Sequence, residues 1–135
     1  MAERPARGII DTSVVVDLER LDPEVLPTEV AISALTLAEL AAGPHVATDA
    51  HERAIRQDRL QRTEATFDAL PFDTAAARAY GRVYAAMASS GRKARGARAV
   101  DLLIAATAAA AGLPLYTRNI DDFRGLDDVV TVVAV

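Results

Sequence analysis

Short β-branched runs alternate with helix-forming stretches along the whole chain, and that alternation leaves few architectures open. "GIIDTSVVVDLERLD" opens on Ile9 and Ile10 and passes to Asp11, Thr12 and Ser13, all suited to cap a helix, so Asp11 is expected between a strand and a helix. Pro23 and Pro27 bracket a loop, and "EVAIS" at 29–33 is a second strand ending in Ser33, a candidate N-cap. The helix it starts, "ALTLAELAAG", is expected to stop at Gly43. Charges interleaved with Ala54, Ile55, Leu60, Ala65 and Phe67 predict a long amphipathic helix or hairpin over 47–70, and "LPFD" at 70–73 a third strand edge. Asp73 or Thr74 then caps a helix through Tyr80, Val83, Tyr84 and Met87 that ends near Gly91. An alanine-rich helix over 99–111 ends at Gly112, "LPLYT" is a strand, "RNIDDF" a turn or short helix, and "VVTVVAV" the final strand.

Strands separated by helices imply βαβ units, a parallel sheet and helices on both faces. With 135 residues the chain has the usual size of one domain, taken here as 1–135. The expected class is α/β, a central and mostly parallel sheet flanked by helices in three layers. Ligands of such sheets gather outside the carboxyl ends of the strands. Asp11 follows the first strand and "TRNIDDF" follows "LPLYT", so both acidic segments should reach that rim.

Composition narrows the function. Fifteen basic against nineteen acidic residues give a net charge of -4, which argues against binding nucleic acid through bulk positive charge. Aromatics at 4% offer no stacking platform for single-stranded bases. The absence of cysteine removes disulfides and thiolate metal sites and suits a reducing cytoplasm. "MAERPARGII" lacks the apolar core of a signal peptide. The longest apolar run, 102–115, is interrupted by Thr107, Gly112 and Pro114 and falls short of the ~20 residues of a membrane span, so no membrane partner is expected.

Asp11, Glu39, Asp101 and an aspartate of the 121–122 pair stand beside buried-looking elements, where an ionised carboxylate is costly unless paired, hydrogen-bonded or bound to metal. Each has a plainer reading alone. Asp11 is a good N-cap, Asp101 lies early in its helix where the macrodipole favours an anion, Glu39 suits a solvated helix face, and Asp121 and Asp122 suit a turn. Taken together they point to a divalent cation: Mg²⁺ or Mn²⁺ takes oxygen ligands, keeps waters and often works with substrate phosphate, which is the chemistry of phosphodiester cleavage. Arg92, Lys93, Arg95 and Arg98 put four positive charges into seven residues just ahead of Asp101, either a solvated connection between two helices or a strip that phosphates could lie along. His45 and His51 flank a loop without the H-E-x-x-H spacing of zinc hydrolases and are expected at the surface. Tyr80, Tyr84 and Met87, at helical spacing, should face the core or a subunit interface.

The order "IIDTSVVVDL", "ISALTLAEL", "RAVDLLIAATAAAAGLPLYTRNIDDF" resembles the PIN-domain family, in particular the VapC-type toxins of bacterial toxin–antitoxin pairs, across about positions 8 to 134. The resemblance implies a PIN-like fold and a magnesium-dependent ribonuclease in which a metal-activated water attacks the RNA phosphate. It makes Asp11, Glu39, Asp101 and Asp122 the metal-holding, catalytic acids. Some relatives carry an acid where this chain has Asn119, so Asn119 and Asp121 stand as alternatives to Asp122 for the fourth. Thr12, Ser13 and Thr117 resemble the hydroxyl residues that support those acids. The resemblance further implies a homodimer and a VapB-type antitoxin whose tail lies across the toxin groove. A catalytically weak or inactive PIN-like module binding RNA or protein is the alternative. A haloacid-dehalogenase-like phosphatase is disfavoured because "DTSVV" lacks the D-x-D-x-T arrangement. A receiver domain is disfavoured because the one lysine, Lys93, sits in the basic cluster rather than after a late strand.

Overall fold

The structure, a computed structural model, describes residues 6–92 and 97–135. Its elements run β1 (Arg7–Ile10), α1 (Thr12–Val16), β2 (Glu29–Ser33), α2 (Ala34–Val46), α3 (Ala50–Thr66), β3 (Asp68–Leu70), α4 (Thr74–Ser89), α5 (Ala97–Ala111), β4 (Leu115–Thr117) and β5 (Val132–Ala134). Short 3₁₀ turns lie at Leu18–Arg20, Pro23–Val25 and Ile120–Phe123. The five strands form one sheet in the order β3-β2-β1-β4-β5, and every pairing is parallel.

Strand residues alternate between the two faces. Ile9, Ala31 and Leu115 face one way and pack with Ala79, Val83 and Met87 of α4 and Leu102, Ile104 and Ala105 of α5. Their neighbours Ile10, Ile32 and Tyr116 face the other way, against Val14 and Val15 of α1 and Leu40 of α2, with Leu60 of α3 at the margin. The result is the expected three layers. Burying each of these large side chains contributes on the order of 2 kcal/mol. Alanines at 105, 106 and 108, all fully buried, let α5 lie close to its neighbours. Gly8 is required by a close approach: a Cβ there would stand 2.7 Å from the Tyr116 ring and 3.1 Å from Pro27. Tyr116 is itself buried, so it has no room to yield.

Local signals placed most boundaries. Asp11, Ser33 and Asp73 are the N-caps of α1, α2 and α4, each accepting a backbone N–H in the first turn. Three expectations shift. The second helix does not stop at Gly43 but continues through Pro44 to Val46. The third strand is Asp68–Leu70, since its pairing with β2 sets Ala31 opposite Asp68, and Pro71 has no N–H with which to extend the ladder. The segment between Pro23 and Pro27 begins as a 3₁₀ turn rather than open loop. On α4, Met87 enters the core as expected and Tyr80 is half-buried, but Tyr84 is 48% exposed. Both histidines are exposed. Among the described residues no helix is long and apolar enough to cross a membrane.

The strand order has one reversal. From β1 the chain steps outward through β2 to β3, then returns to lay β4 on the other side of β1. The crevice between the carboxyl ends of β1 and β4 is the topological switch point, where open α/β sheets bind ligands. Asp11 and Thr117 stand on either side of it.

Candidate active site

Asp11 leaves β1 with only 4% of its surface exposed. Its backbone N–H donates to Tyr116 O at 3.0 Å, which ties it to β4. Its Oδ1 accepts from Val14 N at 3.2 Å and from the Ser13 hydroxyl at 2.5 Å. The cap leaves Oδ2 free of these two bonds. Ser13 Oγ in turn accepts from Arg118 N at 3.0 Å and lies 3.5 Å from Thr117 Oγ1. A hydroxyl has one proton, and that of Ser13 is committed to the Asp11 carboxylate, so at the longer contact Thr117 is the donor. Thr117, fully buried, also accepts from Asn119 N at 3.0 Å.

Glu39 is exposed on α2, yet it is not loose. The Thr12 hydroxyl donates to Glu39 Oε1 at 2.6 Å, a charge-assisted bond, and Thr12 Oγ1 lies 3.1 Å from Thr36 Oγ1. With a single proton, the Thr12 hydroxyl serves the shorter bond to Glu39, and Thr36 Oγ1 is its second and longer acceptor contact. Thr36, completely buried one turn before Glu39, is a residue that sequence reasoning passed over. The signal was its i,i+3 spacing from the acid on one helix face. Thr12 and Ser13 thus each serve a different carboxylate.

Asp101, half-buried near the start of α5, connects these groups to the others. Burial, joined by the like charges of Asp122, Asp11 and Glu39, pushes its carboxyl up to about 6, while Arg98 pulls it down. All four acids named from the sequence therefore share one electrostatic neighbourhood. Within the 121–122 pair, Asp121 is exposed and its Oδ1 accepts from Arg124 Nη2 at 2.7 Å, whereas Asp122 is the half-buried member whose charge reaches Asp101. Asn119 is exposed and contributes its backbone to the Thr117 bond.

The donor set is all carboxylate and hydroxyl oxygen, which fits Mg²⁺ or Mn²⁺ in kind and offers nothing to softer ions. Among the described residues, however, no group of three or more Asp, Glu, His or Cys side chains is drawn together tightly enough to hold an ion as it stands. Hydroxyl and amide donors hold Asp11 and Glu39 in place. A cleft lined by Val15, Val16, Leu18, Ile55, Thr66 and Phe67 between α1 and α3 contains none of the four acids.

Of the basic strip, Lys93 and Arg95 lie outside the described residues. Arg98 is close enough to affect Asp101. The Arg92 Nη1 donates to Asp121 O at 2.6 Å and reaches Arg124 O at 3.4 Å. Sequence reasoning also missed Arg118, whose Nε pairs with Asp17 at 3.4 Å beside the mouth.

Comparison with known proteins agrees with this layout. The PIN domain pattern matches residues 9–129. Ribonuclease VapC5 of Mycobacterium tuberculosis (strain ATCC 25618 / H37Rv) is 40% identical over 135 residues, covering 98% of this chain and 96% of that protein. The crystal structure of VapBC-5 from Mycobacterium tuberculosis, a member of the VapBC family of toxin–antitoxin systems, matches with a TM-score of 0.83 at 40% identity, over 97% of this chain and 98% of that one. VapBC2 from Rickettsia felis, crystallised on a DNA fragment from their promoter, shares the fold with a TM-score of 0.75 at 23% identity, over 96% and 98% of the two chains. On both its sequence and its fold, the chain belongs to the PIN-domain family, on its VapC-type branch.

Proposed function

We propose that the protein is a divalent-metal-dependent endoribonuclease, the toxin of a toxin–antitoxin pair, acting in the cytoplasm. The observation that carries the reading is that four carboxylates from four elements of the chain act on one another, Asp122, Asp11 and Glu39 all on Asp101, with Asp11 and Glu39 each anchored by its own hydroxyl. It is supported by 40% identity to a protein named as a ribonuclease and by the likeness to VapBC assemblies. Asp11, Glu39, Asp101 and Asp122 would hold Mg²⁺ or Mn²⁺. When bound, such an ion supplies positive charge against the scissile phosphate and acidifies a water. The chain's own part is positional: Ser13 and Val14 N fix Asp11, Thr12 fixes Glu39, and Asp101 keeps a proton up to about pH 6, freeing both its oxygens for a cation above it. Arg98, next to Asp101, and the neighbouring Lys93 and Arg95 of the sequence would receive flanking RNA phosphates. A homodimer held inactive by a VapB-type antitoxin completes the proposal.

Incubation of the purified protein with RNA, followed by 5′-end mapping, tests it. EDTA is expected to abolish discrete cleavage and excess Mg²⁺ or Mn²⁺ to restore it. Cleavage indifferent to the chelator, or none with either metal, would defeat the proposal. Thr12→Val, nearly isosteric but without the hydroxyl, should raise the Mg²⁺ concentration for half-maximal cleavage by about tenfold, the usual scale for a residue that orients a ligand. A metal titration identical to wild type would show that the Thr12–Glu39 bond has no such role.

A further inference from the structure

The 3₁₀ turn Ile120–Phe123 that carries Asp122 is held from outside itself. Its internal bonds are few: Asp122 N donates to Asn119 O at 3.0 Å and Arg124 N to Asp121 O at 3.3 Å. Against it lies the end of α4. Gly125, at φ +92°, passes so near that a Cβ would meet Ser90 Cβ at 3.1 Å and Ser90 Oγ at 3.3 Å. Ser90 is in turn locked, donating its hydroxyl to Met87 O at 2.6 Å, and Arg92 N donates to the same carbonyl at 3.3 Å. From this fixed base the Arg92 side chain brings Nη1 to Asp121 O and Arg124 O, the carbonyls on either side of Asp122.

We propose that Arg92 is a positioning residue for Asp122 rather than a phosphate contact: its guanidinium, anchored at the end of α4, spans the carbonyls of Asp121 and Arg124 and fixes the turn that carries Asp122 to the other acids. This rests on the nuclease reading above. The chemistry separates Arg92 from the rest of the basic strip. A guanidinium donating to two neutral carbonyls adds rigidity without neutralising a charge, and leaving for a phosphate would sacrifice both bonds. Asp121 is excluded from the same task, since its own carboxylate is paired with Arg124.

The test compares Arg92→Gln and Arg92→Lys with wild type, using the full chain and far-UV circular dichroism to verify folding. In metal-free protein, the amides of Asp122 and Arg124 are expected to exchange with solvent about fivefold or more faster in Arg92→Gln, with Arg92→Lys between because an ammonium reaches one carbonyl at a time. The Mg²⁺ requirement for cleavage should rise several-fold, while the dependence of RNA binding on salt stays at the wild-type slope. If Arg92→Gln does not fold, Arg92→Lys supplies the same measurements. Exchange and metal requirement both unchanged would overturn the proposal, and a salt slope flatter by about one would reassign Arg92 to the phosphates. Lack of cleavage by wild type would defeat the nuclease reading but leave the exchange result to stand or fall separately.

Discussion

Asp11→Asn should lower RNA cleavage by at least ~10³-fold and leave the melting temperature close to wild type, because it removes charge from the centre of the site and almost nothing from the fold. The wild-type Oδ1 accepts from Val14 N and the Ser13 hydroxyl, and an asparagine Oδ1 can accept both. Asparagine is as good an N-cap as aspartate, so α1 keeps its start. What disappears is the anionic Oδ2, the oxygen left over for a cation. Asp11→Ala would be the less informative change, since loss of the cap costs about 1 kcal/mol in addition to the chemistry. Single-turnover cleavage at saturating Mg²⁺, paired with thermal melting, is the measurement. Activity within tenfold of wild type would mean that Asp11 is no more than a helix cap.

Much of the site was legible because topology does the assembling. Once β1 and β4 are recognised as parallel neighbours, residues following each strand must arrive at the same rim, so Asp11 and the 117–122 segment meet although more than a hundred positions separate them in the chain. The N-caps at Asp11, Ser33 and Asp73 were legible for a different reason, as each depends on bonds within three residues.

The features that escaped depend on partners remote in sequence. The second helix outlives Gly43 because α3 finishes it: Arg56 Nη1 donates to Gly43 O at 3.0 Å and Arg53 Nε to Pro44 O at 3.4 Å, satisfying end carbonyls that a glycine turn would otherwise serve. Pro44, in the last turn, is buried and loses one intrahelical bond there. Nothing within the local stretch announces those arginines. Arg92 is the same case in the site itself. Its neighbours in sequence suggested a phosphate strip, and its neighbours in space are two carbonyls. Thr36 escaped because a buried threonine on an apolar helix face resembles ordinary packing until Thr12 is found beside it.

The second large effect concerns stability, and it runs against the usual expectation for a site mutation. An aspartate in an unfolded chain titrates near 3.9, whereas that of Asp101 is pushed up to about 6 by burial and by Asp122, Asp11 and Glu39. Between those values the folded molecule binds more protons than the unfolded one. The stabilising contribution is therefore complete below about pH 4 and is lost as pH rises through about 6. At pH 8 without metal the fold bears the cost of burying the Asp101 charge together with its repulsion by Asp122, Asp11 and Glu39. Asp101→Asn should then melt about 2–5 °C above wild type, a modest figure because solvent screens a half-exposed group and because the attraction of Arg98 is lost too. The gain should shrink as pH falls, to about half at pH 5, and approach zero only below about pH 4, where the side chain is neutral in the unfolded chain as well. Mg²⁺ should reverse the order, since an ion at a hundred times its dissociation constant stabilises wild type by about 2.7 kcal/mol and the variant by less. A melting temperature for Asp101→Asn below wild type at pH 8 in EDTA would mean that neither burial nor the neighbouring acids penalise the Asp101 charge. The claim that the four acids form one charged site would then fail, whatever the variant's activity.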